Sequence, residues 1–203
     1  MKIICIARNY KKHILELNNT PPEELIFFLK PETAIPIKGQ PFFIPDFSHE
    51  IQHEIEIVIK INKTGKHIQE KFAHKYFDEL TLGIDFTARD VQSQLKREGF
   101  PWEKSKSFDG SGPVGVFMNK TEYPDITNLN FELLINGKVK QSGNTRNMIF
   151  SFNYIISYIS KYITLKKGDL IFTGTPSGVG KVNKNDILTG LIEGEKIIQT
   201  KIK

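Results

Sequence analysis

The segment His53-Glu54-Ile55-Glu56-Ile57-Val58-Ile59 alternates charge and branched apolar residues over its first half, and that period of two constrains the chain more than any other feature. Successive side chains of a strand point to opposite faces, so Ile55, Ile57 and Ile59 share one face while Glu54 and Glu56 share the other. The isoleucine face needs a core. The carboxylate face is either an ordinary wet side of a sheet or the wall of a site where two like charges find a partner.

Similar period-two patterns recur at Ile3 to Ala7, Ile51 to Ile61, Phe131 to Val139, Leu170 to Thr173 and Ile187 to Ile202, so strands dominate. Asn136-Gly137 sits between two such runs, and both residues tolerate the positive φ of a type I′ hairpin. Helices are fewer. Thr87 is positioned to cap a helix over Ala88 to Glu98, with Asp90 answering it and Gly99 closing it. Phe72, Tyr76 and Leu80 form one stripe of a helix over Gln69 to Leu80. A third helix is expected over Ile149 to Ile163, with strand as the alternative because the segment is rich in β-branched and aromatic residues. The result is an α+β chain with a mostly antiparallel or mixed sheet.

At 203 residues the chain suits one domain spanning 1–203, and 39% hydrophobic with 25% charged residues excludes a disordered or collagenous chain. Apolar runs end in charge long before the roughly 20 residues of a membrane span, so no membrane partner is expected. The N-terminal run is too short for a signal-peptide core, and Cys5 is the single cysteine, which points to a reducing cytoplasm. The net charge of +5 would suit nucleic acid if it gathered on one face, but the lysines are spread along the chain among Asp and Glu, so no nucleic-acid partner is expected.

Asp85 adds a third carboxylate in the apolar setting Leu82-Gly83-Ile84-Asp85-Phe86. Capping the following helix would explain it. If it instead meets Glu54 and Glu56, the three repel one another unless a divalent cation joins them, and an all-oxygen set selects Mg²⁺, Mn²⁺ or Ca²⁺ over zinc. His13 and Glu16 stand three apart, so one helical turn would let the carboxylate orient the imidazole as a base. The polar run Asn18-Asn19-Thr20-Pro21-Pro22 suggests a mobile segment over a ligand, with residues 8–22 as the expected lid. Gly110 to Gly115 fits the spacing of a dinucleotide loop without strand before and helix after, and Gly174 to Lys181 lacks the first glycine and the metal-binding hydroxyl of a phosphate loop. The second remains a turn with backbone N–H groups free for an anion.

Several of these segments together resemble the fumarylacetoacetate hydrolase superfamily, in particular its short single-domain acylpyruvase and oxaloacetate decarboxylase members. The resemblance rests on Arg8-Asn9-Tyr10 with His13 and Glu16, Phe28-Leu29-Lys30-Pro31, His53-Glu54-Ile55-Glu56, Asp85 through Gln92, Lys106-Ser107-Phe108-Asp109, Gln141 through Met148, and Thr173 through Gly180. It implies a layered, mostly antiparallel β-sheet roll and a homodimer. It further implies Glu54, Glu56 and Asp85 as ligands of Mg²⁺ or Mn²⁺, with Ca²⁺ as a crystallographic substitute. By the same likeness Lys106, Arg89, Gln92 and Thr175 contact a 2-oxo acid, Lys106 also takes part in catalysis, and His13 with Glu16 forms the catalytic lid dyad.

The expected activity is hydrolysis of a C–C bond in an acylpyruvate to pyruvate and a carboxylic acid. The alternatives on the same residues are oxaloacetate decarboxylase or tautomerase, 2-hydroxy-dienoate isomerase, and a 2-oxo-acid-binding module without turnover. Ala7 departs from the resemblance, standing where many members have glycine.

Overall fold

The computed structural model describes residues 1–37 and 39–203. In chain order the first elements are β1 (Ile3–Ala7), α1 (Lys11–Glu16), β2 (Ile26–Lys30), β3 (Ile51–His53), β4 (Ile55–Ile61), α2 (Glu70–Ala73) and β5 (Phe77–Ile84). There follow β6 (Thr87–Ala88), α3 (Arg89–Glu98), α4 (Glu103–Lys106), β7 (Met118–Asn119), β8 (Asn130–Ile135) and β9 (Lys138–Asn144). The chain then forms α5 (Phe152–Tyr162), β10 (Leu170–Phe172), β11 (Gly180–Lys181), β12 (Ile187–Ile192) and β13 (Glu195–Lys201).

The strands form a six-stranded sheet ordered β2-β1-β10-β4-β5-β7, a three-stranded sheet β11-β3-β6 and a four-stranded sheet β13-β12-β8-β9. β1 and β10 run parallel, and the other named pairs are antiparallel. This is the expected α+β class with mixed sheet and few helices.

The alternating segment behaves differently on its two faces. Ile55, Ile57, Ile59 and Ile61 of β4 enter the main core with Leu133 and Ile135 of β8, Leu188 of β12 and Ile155 and Ile159 of α5. The opposite face is not wet: Val58 packs into a second cluster with Ile3, Cys5, Leu170 and Phe172, and Glu54 and Glu56 are buried beside it. Burying both faces of β4 leaves the two carboxylates no solvent to turn to. That removes the wet-face alternative.

Glu54 occupies the point where the chain leaves one sheet for another. β3 pairs with β6 and β11, whereas β4 pairs with β5 and β10. At that switch the backbone finds other partners: the Asp85 N–H donates to the Glu54 carbonyl at 2.8 Å, and the Ile55 N–H donates to Oε1 of Gln141 at 3.0 Å. A buried backbone group left unpaired here would be costly, so these contacts fix where Glu54 stands.

Two expectations about helices need correction. The stripe over Gln69 to Leu80 is helical only at Glu70–Ala73, because Phe77–Ile84 pairs along β4, with Ile57 opposite Leu82 and Ile59 opposite Leu80. Long-range pairing and burial of Phe77, Leu80, Leu82 and Ile84 outweigh the local period. Thr87 does not cap α3: its hydroxyl donates to the Asp85 carbonyl, and α3 starts after Ala88 without a side-chain cap. Asp90 instead accepts from the Ser48 hydroxyl and the His49 N–H, tying α3 to the segment before β3.

Other local readings match. Gly99 closes α3 at φ +71°, and Asn136 and Gly137 take φ of 50° and 79° between β8 and β9. The long run from Ile187 to Ile202 divides into β12 and β13, with Glu193 and Gly194 at positive φ between them. α5 forms with Ser151 accepting from the Tyr154 N–H as its cap, so the helical alternative prevails there. Among the described residues no helix is long and apolar enough to cross a membrane.

Gly83 lies opposite Glu56 in register, and a Cβ there would stand 2.7 Å from Cζ of Phe172 and 2.8 Å from Cγ2 of Val58. Gly83→Ala is expected to lower the unfolding free energy by about 1–3 kcal/mol through overpacking. Urea denaturation followed by circular dichroism checks this, and an unchanged midpoint would contradict the packing described.

Candidate active site

Glu54, at the sheet switch, Glu56, one residue into β4, and Asp85, just past the end of β5, bring their carboxylates together. One oxygen from each lies within 4.8 Å of the others, and all three side chains are buried. Period two carries the first two to one face, and the antiparallel pairing of β4 with β5 delivers the third. The sequence-expected triad is therefore assembled in space.

Three cations face it. Lys106, at the end of α4, donates from Nζ to Glu54 Oε2 at 2.8 Å, Asp85 Oδ2 at 2.7 Å and Thr87 Oγ1 at 2.6 Å. Arg89, in the first turn of α3, pairs through Nη2 with Glu54, and donates to Gln52 Oε1 at 2.7 Å and Gln92 Oε1 at 2.6 Å. Lys30, at the end of β2, lies 2.9 Å from Asp85 Oδ1, donates to Ser111 Oγ at 2.9 Å and also meets the Lys106 carbonyl.

The electrostatic result is uneven. Burial works against ionisation of Glu54, but Lys106 and Arg89 outweigh it and hold that carboxyl well below the usual range. Glu56 has no cation within ion-pair reach among the described residues. Burial, then Asp85 and Glu54, push its carboxyl well above the usual range, although the Gly174 N–H donates to it at 2.7 Å. Burial opposes the charge of Lys106 too, but Asp85 and Glu54 overcome it, so the ammonium is held more firmly than usual.

These residues suit a divalent cation. Lys30 Nζ lies 2.9 Å from Asp85 Oδ1, so that oxygen is ion-paired although the contact lacks hydrogen-bond geometry. Glu56 is the under-compensated acid of the set. Three buried carboxylates whose oxygens come within 4.8 Å of one another are an all-oxygen donor set, which selects a hard ion. A metal at this position would hold Glu54, Glu56 and Asp85 together and remove their mutual repulsion.

Around the triad lies a cleft of about 40 Å³, lined among others by Arg8, His13, Asn19, Arg89, Gln92, Lys106 and Thr175. Of the residues expected at the site, only Glu16 is not in the lining. It stands behind His13, with Oε2 3.3 Å from His13 Nδ1 and Oε1 accepting from the Gly178 N–H at 2.9 Å. Burial lowers the His13 pKa below its ordinary value, with Arg89 adding to the effect, against the pull of Glu54 and Glu16. Thr175, in the cleft lining, donates to the Ile55 carbonyl at 2.8 Å and accepts from Gln141 Nε2 at 2.9 Å, which leaves its oxygen one further lone pair. A much larger cavity of about 820 Å³ lies elsewhere, and its lining carries lysines but no carboxylate, imidazole or thiol. The buried cluster of titratable side chains lines the small cleft.

Sequence reasoning named Lys30, Gln141 and Asn9 within the motifs of the resemblance but gave them no role in the site. Lys30 closes the apolar run Ile26–Lys30 with its ammonium fully buried. Gln141 ties His53, Ile55, Thr175 and Pro176 through one amide. Asn9 donates to the carbonyls of Phe150 and Thr173 and accepts from the Phe150 N–H, and it packs where a Cβ on Gly174 would clash. The one usable signal was a lysine ending an apolar strand, since lysine is rarely buried without a paired acid.

Against known proteins, residues 2–202 match the family model described as fumarylacetoacetate (FAA) hydrolase, C-terminal. The chain belongs to the fumarylacetoacetate hydrolase family. It is 42% identical over 201 residues to the mitochondrial oxaloacetate tautomerase FAHD1 of Bos taurus, covering 99% of this chain and 91% of the relative. It is also 42% identical over 194 residues to the mitochondrial oxaloacetate decarboxylase of Dictyostelium discoideum, covering 95% and 89%. Among solved structures of the family, the fumarylpyruvate hydrolase of Pseudomonas aeruginosa in complex with Mn²⁺ and pyruvate superposes with a TM-score of 0.93 at 30% identity, covering 100% and 89%. Two of these relatives are named for oxaloacetate, and the solved neighbour is named a fumarylpyruvate hydrolase.

Lys30→Met is expected to cost about 3–5 kcal/mol of stability, the range for breaking a buried ion pair from one side. Guanidinium denaturation of the metal-free protein measures it. A loss under about 1 kcal/mol would mean that Asp85 does not depend on this cation.

Proposed function

We propose that this protein is a divalent-cation-dependent enzyme acting on oxaloacetate, interconverting its keto and enol forms, with decarboxylation as the neighbouring reaction. The observation that carries the reading is the buried triad of Glu54, Glu56 and Asp85, with Glu56 left without a cation partner among the described residues, in a cleft that also holds the His13 imidazole and the buried Lys106 ammonium. The oxaloacetate names of two relatives at 42% identity support the substrate. Mg²⁺ or Mn²⁺ held by the three carboxylates would supply the Lewis acid for a 2-oxo carbonyl.

The chain's own residues do the rest. Tautomerisation takes a proton from C3 and returns one to the 2-oxo oxygen. His13 is the base for the first transfer, because burial keeps it neutral and Glu16 orients Nδ1, leaving Nε2 to face substrate. Lys106 stands where charge develops on the oxo oxygen and offsets it with an ammonium that its acid neighbours keep protonated. Arg89 holds Glu54 rather than reaching for substrate, and Gln92 holds Arg89. In decarboxylation the C3–C4 bond breaks, its electron pair stays on C3 and CO₂ leaves, with no base required.

Arg8, His13, Leu17 and Asn19 of the segment 8–22 line the cleft beside the triad, and this is the lid role proposed for α1 and the Asn18–Pro22 run. A second reading, hydrolysis of an acylpyruvate, is favoured by the likeness to the fumarylpyruvate hydrolase and uses His13 to activate water.

Enol decay and pyruvate release from oxaloacetate, and pyruvate release from acetylpyruvate, measured with Mg²⁺ or Mn²⁺ and with EDTA controls, test the reading. Metal-dependent enol decay faster than acetylpyruvate cleavage is expected; the reverse order would favour the hydrolase. Glu56→Gln should lower metal-dependent turnover about a hundredfold or more while the fold persists. In a pH profile the acid limb of kcat/KM should fall below the ordinary imidazole value of about 6.5, because a depressed pKa keeps the base unprotonated as pH drops. His13→Asn should remove that limb and cost about 10²–10⁴-fold. A limb at or above the ordinary value would contradict the role given to His13.

A further inference from the structure

Arg8 is the cleft-lining cation whose charge the fold leaves unanswered. Arg89 pairs with Glu54, and Lys106 pairs with Glu54 and Asp85, whereas among the described residues no carboxylate lies within ion-pair distance of Arg8. Its guanidinium makes one side-chain hydrogen bond there, from Nη2 to the neutral amide oxygen of Asn19 at 3.2 Å. Asn19 lines the same cleft from the far end of the lid segment.

The backbone at Arg8 is held in an unfavourable state for this purpose. Its φ is +58°, in the left-handed region that residues with a Cβ adopt rarely. The next residue enforces it: the Asn9 side chain is buried and locked to Phe150 and Thr173 by three hydrogen bonds. Strain that a neighbouring network over-determines is a mark of functional placement. A second cation stands close by. Lys96 of α3 lies over the Trp102 ring at 5.5 Å, and burial lowers its pKa, with Arg89, Arg8 and Lys106 as the repelling neighbours. Positive charge thus gathers beside Arg8, in a cleft whose lining also holds the three carboxylates.

We propose that Arg8 is a specificity-determining residue that takes the C4 carboxylate of a four-carbon 2-oxo dicarboxylic acid, whose 2-oxo acid end lies over Glu54, Glu56 and Asp85. The proposal rests on the oxaloacetate reading above and deepens it. A guanidinium binds a carboxylate with two parallel N–H···O bonds, so it selects a second carboxylate over the methyl group of a monocarboxylic analogue. It also sets the balance between the two reactions. Decarboxylation requires the C4 carboxylate to give up its charge and leave as CO₂, with the bonding pair remaining on C3. An ion pair with Arg8 stabilises that charge in the ground state and so disfavours bond cleavage, whereas proton transfer at C3 leaves the pair intact. Arg8 therefore biases the site toward tautomerisation.

The test compares wild type, Arg8→Gln and Arg8→Lys, each checked for an unchanged circular-dichroism spectrum and melt. With Mg²⁺ present, kcat/KM for oxaloacetate enol decay and the rate of pyruvate release are measured, alongside calorimetric affinities for oxaloacetate and for pyruvate, which lacks the second carboxylate. Arg8→Gln is expected to lower kcat/KM on oxaloacetate about tenfold to a hundredfold, chiefly through KM, as for a lost charged hydrogen bond. It should raise the ratio of decarboxylation to tautomerisation and leave pyruvate affinity within about twofold, with Arg8→Lys restoring part of the loss. Equal losses for oxaloacetate and pyruvate, or no loss for oxaloacetate, would overturn the assignment. If the wild type turns over no oxaloacetate yet binds it more tightly than pyruvate, and Arg8→Gln abolishes the preference, the functional reading falls and the Arg8 assignment stands. A wild type that shows no preference overturns Arg8 whatever its activity.

Discussion

Three carboxylates drawn out of water to within 4.8 Å of one another are the constraint on which the rest of this structure depends. Taking even one ion out of water costs several kcal/mol, and like charges at this range add to that. The fold answers with Lys106 and Arg89 on Glu54, with Lys106 and Lys30 on Asp85, and with a single backbone N–H on Glu56. The compensation is incomplete at Glu56, whose carboxyl is raised well above its usual range and meets no cation among the described residues. What stability alone would remove is what a cation-binding site requires.

Each answer comes from a different element, so the site also locks the fold together. Lys30 ends β2, Lys106 ends α4, Arg89 opens α3 and Gly174 follows β10. Gln141 of β9 reaches from the four-stranded sheet to the sheet switch at Glu54 and to the Thr175–Pro176 turn. The Gly174-to-Lys181 loop, which lacks the residues of a phosphate loop, turns its first N–H to an anion of the chain itself and a later one, at Gly178, to Glu16. The same loop thereby touches both the carboxylate triad and α1.

How much of this was legible in the sequence follows from the range of the interactions involved. Period two placed Glu54 and Glu56 on one face, and the apolar setting of Asp85 marked it as an acid in need of partners, because both depend on a few neighbouring residues. The Asn136-Gly137 turn and the Gly99 cap were readable for the same reason. Phe77–Ile84 misled because its pairing with β4 is invisible to a helical stripe ending at Leu80. Thr87 looked like a cap because nothing local shows that its hydroxyl faces Lys106. Lys30 and Asn9 stood in the motifs of the resemblance, but their roles were not legible because their partners lie 55 or more positions away, at Asp85, Ser111, Phe150 and Thr173. Resemblance supplied Lys106, Arg89, Gln92 and Thr175, and the structure gathers all four around the triad.

The central claim is that Glu54, Glu56 and Asp85 hold a divalent cation. Crystals grown with Mn²⁺ and measured for anomalous scattering at the manganese edge address it directly. The account predicts one strong peak at about 2.0–2.3 Å from an oxygen of each of the three carboxylates, with Lys106 beside rather than within the coordination shell. A peak elsewhere, or none with Lys106 still bridging Glu54 and Asp85, would contradict it.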